Sequence, residues 1–483
     1  MSIRVALVCA DDSQYVGLTG IERAYYALHN VIRVKKNFGY LNEHDVNLFS
    51  NINHQHRGLL SIAEVLMNKG YHVDYFHAPR IFDTSIHYDI VGFSAYTQNI
   101  EKARELSTSV KKENPTTITI LGGAHANGVD GGDLAGELSF FDYIVKGKGE
   151  RAMLSILEAL QFASLKLIDS SLGIYSKGEN NARPAVLLRE LQVSPSILHN
   201  AYSLIPVTLP AARVFFSEGC VYRCAFCANQ RNRIVLYDLD LVRQEIDILT
   251  GQYGTKYVYI GDENFHLGSK RSLQIIDLMN SYSHLCRWAF QTRVCIPPTE
   301  ALARLDPESC VEVQFGIEHA DDHIRDLISK DYGSLADIYR AIDVYLERGL
   351  NLLTYFIVGL PGETSTTIKK NFEVMCNLIN KGVMVEIGIF VPYPGTPIFK
   401  VPQKYGIHID KSSWDKFRSD GVPPYNYEDG LTGEQIREHF DNGLKSYIIP
   451  AYRAKYESLL PKAMAAECCQ DTLGSPVLWE LPW

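Results

Sequence analysis

Two separate series of alternating strand-like and helix-like segments most constrain how this chain of 483 residues can fold. The first series runs from Ile3 to about residue 160, and the second runs from Arg213 to about Phe399. Short apolar runs separated by helical segments are typical of parallel sheets, because two parallel strands need a crossover between them. The sequence therefore predicts two α/β domains, one after the other.

These patterns predict four parts, with boundaries at residues 1–160, 161–205, 206–400 and 401–483. The first part is expected to be an open, doubly wound, Rossmann-like sheet, and the second a connector. Six strand–helix units in the third part predict a partial (β/α)6 barrel, whose active site would lie at the carboxyl ends of the strands. A helical pattern from Thr432 to Leu460 predicts a mainly helical C-terminal region.

A loop with three cysteines carries the strongest chemical signal. Cys220, Cys224 and Cys227 follow a CxxxCxxC spacing. Cysteine thiolates hold iron–sulfur clusters, and a four-iron cluster takes four ligands, so three cysteines leave one iron open. A zinc site would need a fourth Cys or His at comparable spacing, but Asn229 and Gln230 stand there. The remaining alternative is three buried thiols without a metal. The spacing favours the cluster.

This cysteine loop, with Phe226 just before its last cysteine, resembles the signature of the radical S-adenosylmethionine (radical SAM) superfamily. The resemblance implies a [4Fe-4S] cluster whose open iron is chelated by S-adenosyl-L-methionine, with Phe226 against the adenine. An electron from the cluster then yields methionine and a 5′-deoxyadenosyl radical, which removes a hydrogen atom from the substrate. A donor such as flavodoxin or ferredoxin is expected to reduce the cluster.

Other residues that match the family pattern fall at the predicted carboxyl ends of barrel strands. By that pattern, Arg293 and Glu318 contact the ribose or methionine part of S-adenosylmethionine, and Glu263 belongs to the same cofactor-binding group. Gly359 is expected to let the backbone approach the adenine closely. For a lone Glu or Arg, a salt bridge at the barrel rim is an equal alternative.

The first part of the chain resembles the cobalamin-binding domain that precedes many radical SAM enzymes. The resemblance rests on the segment from Ile120 to Ala126, which contains Gly122 and Gly123. Paired glycines let a bulky nucleotide tail approach the backbone, and Ser94 is expected at the same sheet edge. No Asp-x-His-x-x-Gly segment places a histidine under cobalt. The alternative is a domain that kept the fold and lost the cofactor.

Cys295 follows Arg293 at the predicted mouth of the barrel. A thiol there could donate a hydrogen atom to a substrate radical, as an enzyme that inverts a stereocentre requires. The alternative is a small apolar core residue, which is the commoner role of a single cysteine.

Composition narrows the classes of partner. The net charge is −9, and 46% of the residues are hydrophobic. Neither nucleic acid nor an anionic membrane is expected as a partner, because either favours a basic stripe. No apolar stretch reaches the length of a membrane span, and the first residues run into a strand pattern instead of a signal peptide. The chain is therefore expected in the cytoplasm, acting on a small-molecule or peptide substrate.

The function that the sequence predicts is cobalamin-dependent methylation of an unactivated carbon by a radical SAM enzyme, with a natural product or peptide as substrate. The alternative is a radical SAM peptide epimerase, dehydratase or other rearrangement enzyme whose first domain is vestigial. A noncatalytic sensor is disfavoured, because sensing does not need an open iron.

Overall fold

The computed structural model describes residues 3–11, 18–39, 55–162, 168, 170–176, 198–205, 209–229, 234–330 and 332–460. Two six-stranded sheets organise these residues, one in each half of the chain. Both are built mainly from parallel strands linked by helices, as the alternating pattern predicts. The α/β fold class is confirmed.

The first sheet has the strand order β2-β1-β3-β4-β5-β6, with β6 antiparallel to β5. The order 2-1-3-4-5 is that of a doubly wound sheet, and its switch point lies between β1 and β3. The strand β6 falls inside the segment predicted as a connector. The elements of this half are β1 (Arg4–Cys9), α1 (Gly20–Phe38), α2 (Arg57–Asn68), β2 (His72–Phe76), β3 (Ile90–Ser94), α3 (Ile100–Glu113), β4 (Ile118–Gly122), α4 (Gly123–Gly128), α5 (Gly131–Glu137), β5 (Tyr143–Val145), α6 (Gly149–Gln161) and β6 (Ile174–Ser176).

The second sheet has the order β14-β13-β12-β11-β10-β7 and is wholly parallel, so it is the expected six-stranded partial barrel. The elements of this half are β7 (Ala211–Val214), β8 (Ser217–Glu218), β9 (Val235–Leu236), α7 (Leu239–Gly251), β10 (Tyr257–Ile260), α8 (Lys270–Ser281), β11 (Arg287–Thr292), α9 (Thr299–Arg304), β12 (Cys310–Glu318), α10 (Asp322–Leu327), α11 (Leu335–Glu347), β13 (Leu352–Val358), α12 (Ser365–Asn380), β14 (Met384–Ile389) and α13 (Pro397–Lys400).

The first barrel strand ends just before the cysteine loop. Its last residue is Val214, in register with Ile260 of β10. Immediately beyond it, the Phe216 N–H donates to Asp262 at 2.7 Å and the Ser217 hydroxyl donates to the same carboxylate at 2.5 Å. These bonds to a side chain replace the ladder and turn the chain toward the cysteine loop.

Helix α1, which the sequence prediction omitted, lies under the barrel although it belongs to the first half of the chain. It begins at Thr19, whose hydroxyl caps the N–H of Glu22 while the Glu22 carboxylate returns to the Thr19 N–H. Its Arg33 pairs with Glu312 of β12 at 2.6 Å. The helix therefore covers the amino ends of the barrel strands and forms the floor of the lumen.

Side chains from outside the barrel cover both of its edge strands. At β7, the Gln55 side-chain amide donates to the Ala211 carbonyl at 2.6 Å and accepts from the Arg213 N–H at 3.2 Å. At β14, the Tyr452 hydroxyl accepts from the Val385 N–H at 2.5 Å, and Tyr25 donates to the Val385 carbonyl at 2.7 Å. Backbone groups that an open sheet would leave unpaired are satisfied in this way.

The C-terminal region is mainly helical, as predicted. Its helix begins at Thr432, which forms a capping box with Gln435, and a π-helical stretch at Leu444–Ile448 separates its two α-helical parts. No helix among the described residues is both long and apolar enough to cross a membrane. The elements are β15 (Ile407–Ile409), β16 (Tyr425–Tyr427), α14 (Gly433–Gly443) and α15 (Ile449–Tyr456).

The two halves meet in close contact at the barrel rim. A side chain added at Gly128 would place its Cβ 2.4 Å from the Pro394 carbonyl oxygen, so the backbones there touch. Nearby, the buried His125 ring meets Trp414 edge-on with ring centres 5.2 Å apart. The first domain, the barrel and the C-terminal region are thus packed against one another.

Candidate functional site

The cysteine loop is anchored to the barrel by backbone hydrogen bonds. The N–H of Gly219, which has a φ of 95°, donates to the Glu263 carboxylate at 3.0 Å. The Ala225 N–H donates to the Ile328 carbonyl at 2.9 Å, and the Cys227 N–H donates to the Cys224 carbonyl at 3.0 Å. These bonds fix both ends of the loop above the carboxyl ends of the strands. Glu263, predicted as a cofactor-binding residue, positions the cysteine loop.

The three thiols suit a cluster better than a single metal ion. Burial raises the pKa of the Cys224 and Cys227 thiols, and the Lys330 ammonium opposes this effect in both by favouring the thiolate. Among the described residues, no three His, Cys, Asp or Glu side chains converge on one point as a zinc ion requires. In a cubane each thiolate binds a different iron, so the cysteines need not converge. The donor set therefore fits a [4Fe-4S] cluster.

A shell of cations and aromatic rings surrounds the cysteine loop. The Arg293 guanidinium lies between the rings of Tyr222 and Tyr332, at 4.1 and 4.3 Å from their centres. The Lys330 ammonium lies 5.6 Å from the centre of the Phe226 ring. Positive charge placed here would balance an anionic cluster and the carboxylate of a bound S-adenosylmethionine.

Glu318 joins the same group, but with a partner that the sequence did not indicate. Its carboxylate pairs with Lys330 at 2.7 Å, and its backbone has a φ of 68°, which is rare for a residue other than glycine. The alternative of a salt bridge is therefore present in this structure. Phe226, Arg293 and Glu318 come together as expected, and their contacts with S-adenosylmethionine stay a prediction. Lys330 and the two tyrosines carried no motif that could have revealed them.

Gly359 packs against the C-terminal region, and its approach to the adenine stays a prediction. Gly359 has a φ of 92°, and a Cβ there would lie 2.5 Å from the Tyr425 hydroxyl and 2.9 Å from Ile436. Side chains of the C-terminal region therefore occupy the direction in which a Cβ would point. The glycine is required by its left-handed backbone and by this packing.

Cys295 lies in the loop after β11, and its side chain is exposed. Burial raises the pKa of its thiol and the Arg293 guanidinium opposes this effect, and the thiol also acts on the pKa of the Tyr345 hydroxyl of α11. No described contact links it to the cysteine loop. Its role as a hydrogen-atom donor stays a prediction.

The residues predicted in the first domain meet at the switch point of its sheet. Ser94 and Gly122 end neighbouring strands in register, and a Cβ on Gly122 would have no heavy atom closer than 3.9 Å. Gly123, with a φ of 90°, packs against Ser94 and Ala95. A Cβ on Gly122 would make only ordinary contacts, with the Phe93 and Val145 carbonyl oxygens, so the missing side chain leaves a cradle in which a cobalamin nucleotide tail could approach the backbone.

His56 reaches this edge from a segment that the sequence analysis did not single out. Its Nε2 lies 3.0 Å from the Ser94 hydroxyl, and burial lowers its pKa, so the imidazole is neutral near pH 7. His56 precedes helix α2 and is far from β3 in sequence, and it belongs to no motif that could have indicated its role. A histidine is thus present at the switch point without the Asp-x-His-x-x-Gly segment.

An ion pair brings the edge of the first sheet next to the cysteine loop. Lys148, in the loop after β5, contacts Glu218 at 2.5 Å, and Glu218 lies two residues before Cys220. The carboxyl edges of the two sheets therefore face a common region. Groups bound at the two edges would be neighbours.

Comparisons with known proteins agree with this architecture. A model described as the radical SAM superfamily matches residues 214–375, and a B12 binding domain model matches residues 50–157. An uncharacterized methyltransferase of Pyrococcus horikoshii is 25% identical over 72% of this chain and 76% of its own length. The anaerobic magnesium-protoporphyrin IX monomethyl ester cyclase of Rubrivivax gelatinosus is 26% identical over 69% of this chain, which spans 61% of the cyclase.

Among solved structures, the radical S-adenosylmethionine methyltransferase TsrM of Kitasatospora setae, with cobalamin and a [4Fe-4S] cluster bound, superposes with a TM-score of 0.61. The match covers 96% of this chain and 90% of TsrM at 16% identity, so it shows a shared fold.

Proposed function

Because this chain belongs to the radical SAM superfamily and carries a B12 binding domain before its barrel, we propose that it methylates an unactivated carbon of its substrate with cobalamin as the methyl carrier. The observation that carries the proposal is the Lys148–Glu218 pair, which joins the Gly122 edge to the cysteine loop. A cobalamin domain that served only as a scaffold would not need its binding edge at the cluster. The substrate is proposed to be a small molecule, and the electron donor a small redox protein.

When bound, the cluster supplies the electron that cleaves S-adenosylmethionine, and cobalamin supplies the methyl group. The residues of the chain hold and screen these groups. Cys220, Cys224 and Cys227 provide the thiolate ligands, and Lys330 with Arg293 lowers the energy of the negative charge that collects there. A radical formed between the two edges would be flanked by the barrel on one side and the first domain on the other, which would limit its side reactions with water.

Anaerobic reconstitution tests the proposal. Wild-type protein should bind four irons and cobalamin, cleave S-adenosylmethionine, and give a product that gains one carbon, whereas replacement of all three loop cysteines by alanine should abolish iron binding and cleavage. Cys286→Ala, at a buried cysteine outside the loop, is the matched control and should keep both. Undiminished cleavage in the triple variant would refute the cluster assignment.

The alternative, a radical epimerase, gives a different result in the same assay. A thiol would then quench the substrate radical with a hydrogen atom, and in deuterated water the product would carry deuterium and no added methyl group. Cys295→Ala would remove that product while deoxyadenosine formation continued. Methylation that is unchanged in Cys295→Ala supports the methyltransferase.

A further inference from the structure

The inward face of the barrel sheet lines an internal space. Along five of the six strands, an inward polar side chain is half-buried while its neighbours in the strand that point outward are fully buried. These half-buried side chains are Arg213, Tyr259, Gln291, Tyr355 and Glu386. These positions lie deep inside the fold, so the surface they expose faces a cavity. A Cβ added at the inward-facing Gly388 of β14 would meet no atom within 4 Å, which agrees with open space at that point.

The sheet curves enough for its inward faces to meet around that space. Burial raises the pKa of the Tyr259 hydroxyl on β10. Arg213 on β7 lowers this pKa and Glu386 on β14 raises it, so both charges act on the same hydroxyl. In a flat sheet β10 and β14 would be roughly 19 Å apart, since strands are spaced by about 4.8 Å. The Arg213 guanidinium lies 5.5 Å from the centre of the Tyr259 ring. Both edge strands therefore present a charge to the same lumen.

Most polar groups of the lumen are already satisfied by one another. The Tyr259 hydroxyl lies 3.0 Å from the side-chain oxygens of both Gln291 and Gln314 and donates its one proton to either of them, and Tyr355 donates to Gln314 at 2.6 Å. On the floor, Arg33 forms a two-pronged pair with Glu312, with distances of 2.9 and 2.6 Å. These charges cancel, and this network needs no ligand.

Two charges in the lumen lack such a partner among the described residues. No hydrogen bond or ion pair within the described part of the chain involves the Glu386 carboxylate, and burial raises its pKa. The Nε of Arg213 is buried without a hydrogen-bond partner among the described residues. Its guanidinium lies over the Tyr259 ring and also acts on the pKa of His56 and Tyr96 of the first domain. A buried charge without a partner is costly, so such groups are expected to bind a ligand of opposite charge.

We propose that the barrel lumen binds a small zwitterion of the amino-acid class, whose ammonium group pairs with Glu386 and whose carboxylate pairs with Arg213. This assignment names the substrate class and therefore rests on the proposed function. One cation and one anion on opposite edge strands match a ligand that carries both charges. A ligand with only one charge would leave the other group unpaired in a site of low dielectric. The tyrosines and glutamines between them orient the part of the ligand that reacts.

Binding measurements without turnover test this assignment. Full-length protein, loaded with cluster, is titrated anaerobically by calorimetry, with and without cobalamin and without reductant. The probes are the twenty common amino acids, together with the amine that lacks each carboxylate and the acid that lacks each amino group. At least one amino acid should bind at least tenfold more tightly than both of its truncated forms.

Three variants connect the binding to the named residues. Glu386→Gln should weaken the amino acid at least tenfold and leave the matching acid unchanged, and Arg213→Gln should leave the matching amine unchanged. Gly388→Leu adds no charge but fills the lumen, so it should abolish binding of all three probes. Glu373→Gln, at an exposed position of α12, makes the same chemical change outside the lumen and is the control for folding.

Two results would overturn the assignment. One is that no amino acid binds the wild type more tightly than its truncated forms, and the other is that Glu386→Gln and Glu373→Gln bind alike. Neither result depends on cobalamin or methylation, whereas failure of the proposed function appears as missing cobalamin or a product without an added carbon. The two proposals can therefore fail separately.

Discussion

Gly122 has no side chain at the carboxyl edge of the first sheet, where it ends β4 beside Ser94 of β3. Gly122→Leu should fill the cradle beside Ser94 and lower the cobalamin content at least tenfold, while iron content stays at the wild-type level because the cluster lies on the other sheet. Absorption spectra and metal analysis of the same sample give both values. Gly136→Leu on the exposed side of α5, where a Cβ also meets nothing within 4 Å, is the matched control. Equal cobalamin in both variants would remove Gly122 from the binding edge.

Asp262 is buried beside the cysteine loop, and its pKa is raised to about 6, mainly by burial. Between pH 4 and 6 the folded protein keeps a proton that the unfolded chain has released, so this group stabilises the fold at low pH and loses that effect as pH rises. Between pH 5 and 7 the loss is on the order of 1 kcal/mol. Denaturation of wild type and Asp262→Asn at both values measures it. Parallel pH profiles would contradict the raised pKa.

Residues that belong to compact motifs could be predicted, and residues recruited from distant segments could not. The three cysteines and Phe226 lie in eight consecutive positions, so their spacing alone identified them. Lys330 and His56 become neighbours of the sites only after the chain has folded. A lysine or histidine without a motif is otherwise indistinguishable from a surface residue.

At the scale of elements, the ion pair between α1 and β12 decides whether the floor of the barrel is stable. Arg33→Leu leaves the carboxylate of Glu312 buried and without its cation, which should lower the free energy of unfolding by about 3–5 kcal/mol. Adding Glu312→Leu should restore most of the loss, because the isolated charge is then gone. Denaturant titrations of both variants measure the effect. A double variant that is less stable than Arg33→Leu would rule out this explanation.

Most strands and most of the longer helices of the two sheets were predicted because their apolar patterns match strand and helix periods, whereas the short helices α4, α5, α10 and α13 were not. Helix α1 was omitted, although its Thr19–Glu22 capping box and its amphipathic pattern were readable. The sequence pattern predicts the helix but does not indicate which sheet the helix packs against. Its apolar face could pack against either sheet, and polar contacts with the barrel, such as Arg33 with Glu312 and Tyr25 with the Val385 carbonyl, tie it there.

At the scale of the whole molecule, the contact at Gly128 holds the two halves together. Gly128→Val would drive side-chain atoms into the Pro394 carbonyl, so the halves must separate or shift. The expected result is a lower melting temperature and faster proteolytic cleavage between the halves, with cluster content retained. Calorimetry and limited proteolysis measure these changes, and Gly132→Val on exposed α5, which meets nothing within 4 Å, is the control. Identical melting curves for both variants would show that the contact is dispensable.

Because Gln55, Tyr25 and Tyr452 cover the barrel edges, they limit which fragments of the chain can fold on their own. A fragment that begins near residue 206 would retain the cysteine loop but lose two of these three side chains. Its first strand would then present bare backbone to other molecules, and aggregation would compete with folding. The second half of this chain is therefore not expected to fold as an independent domain. A chimera with a related enzyme would have to include the first domain together with the barrel.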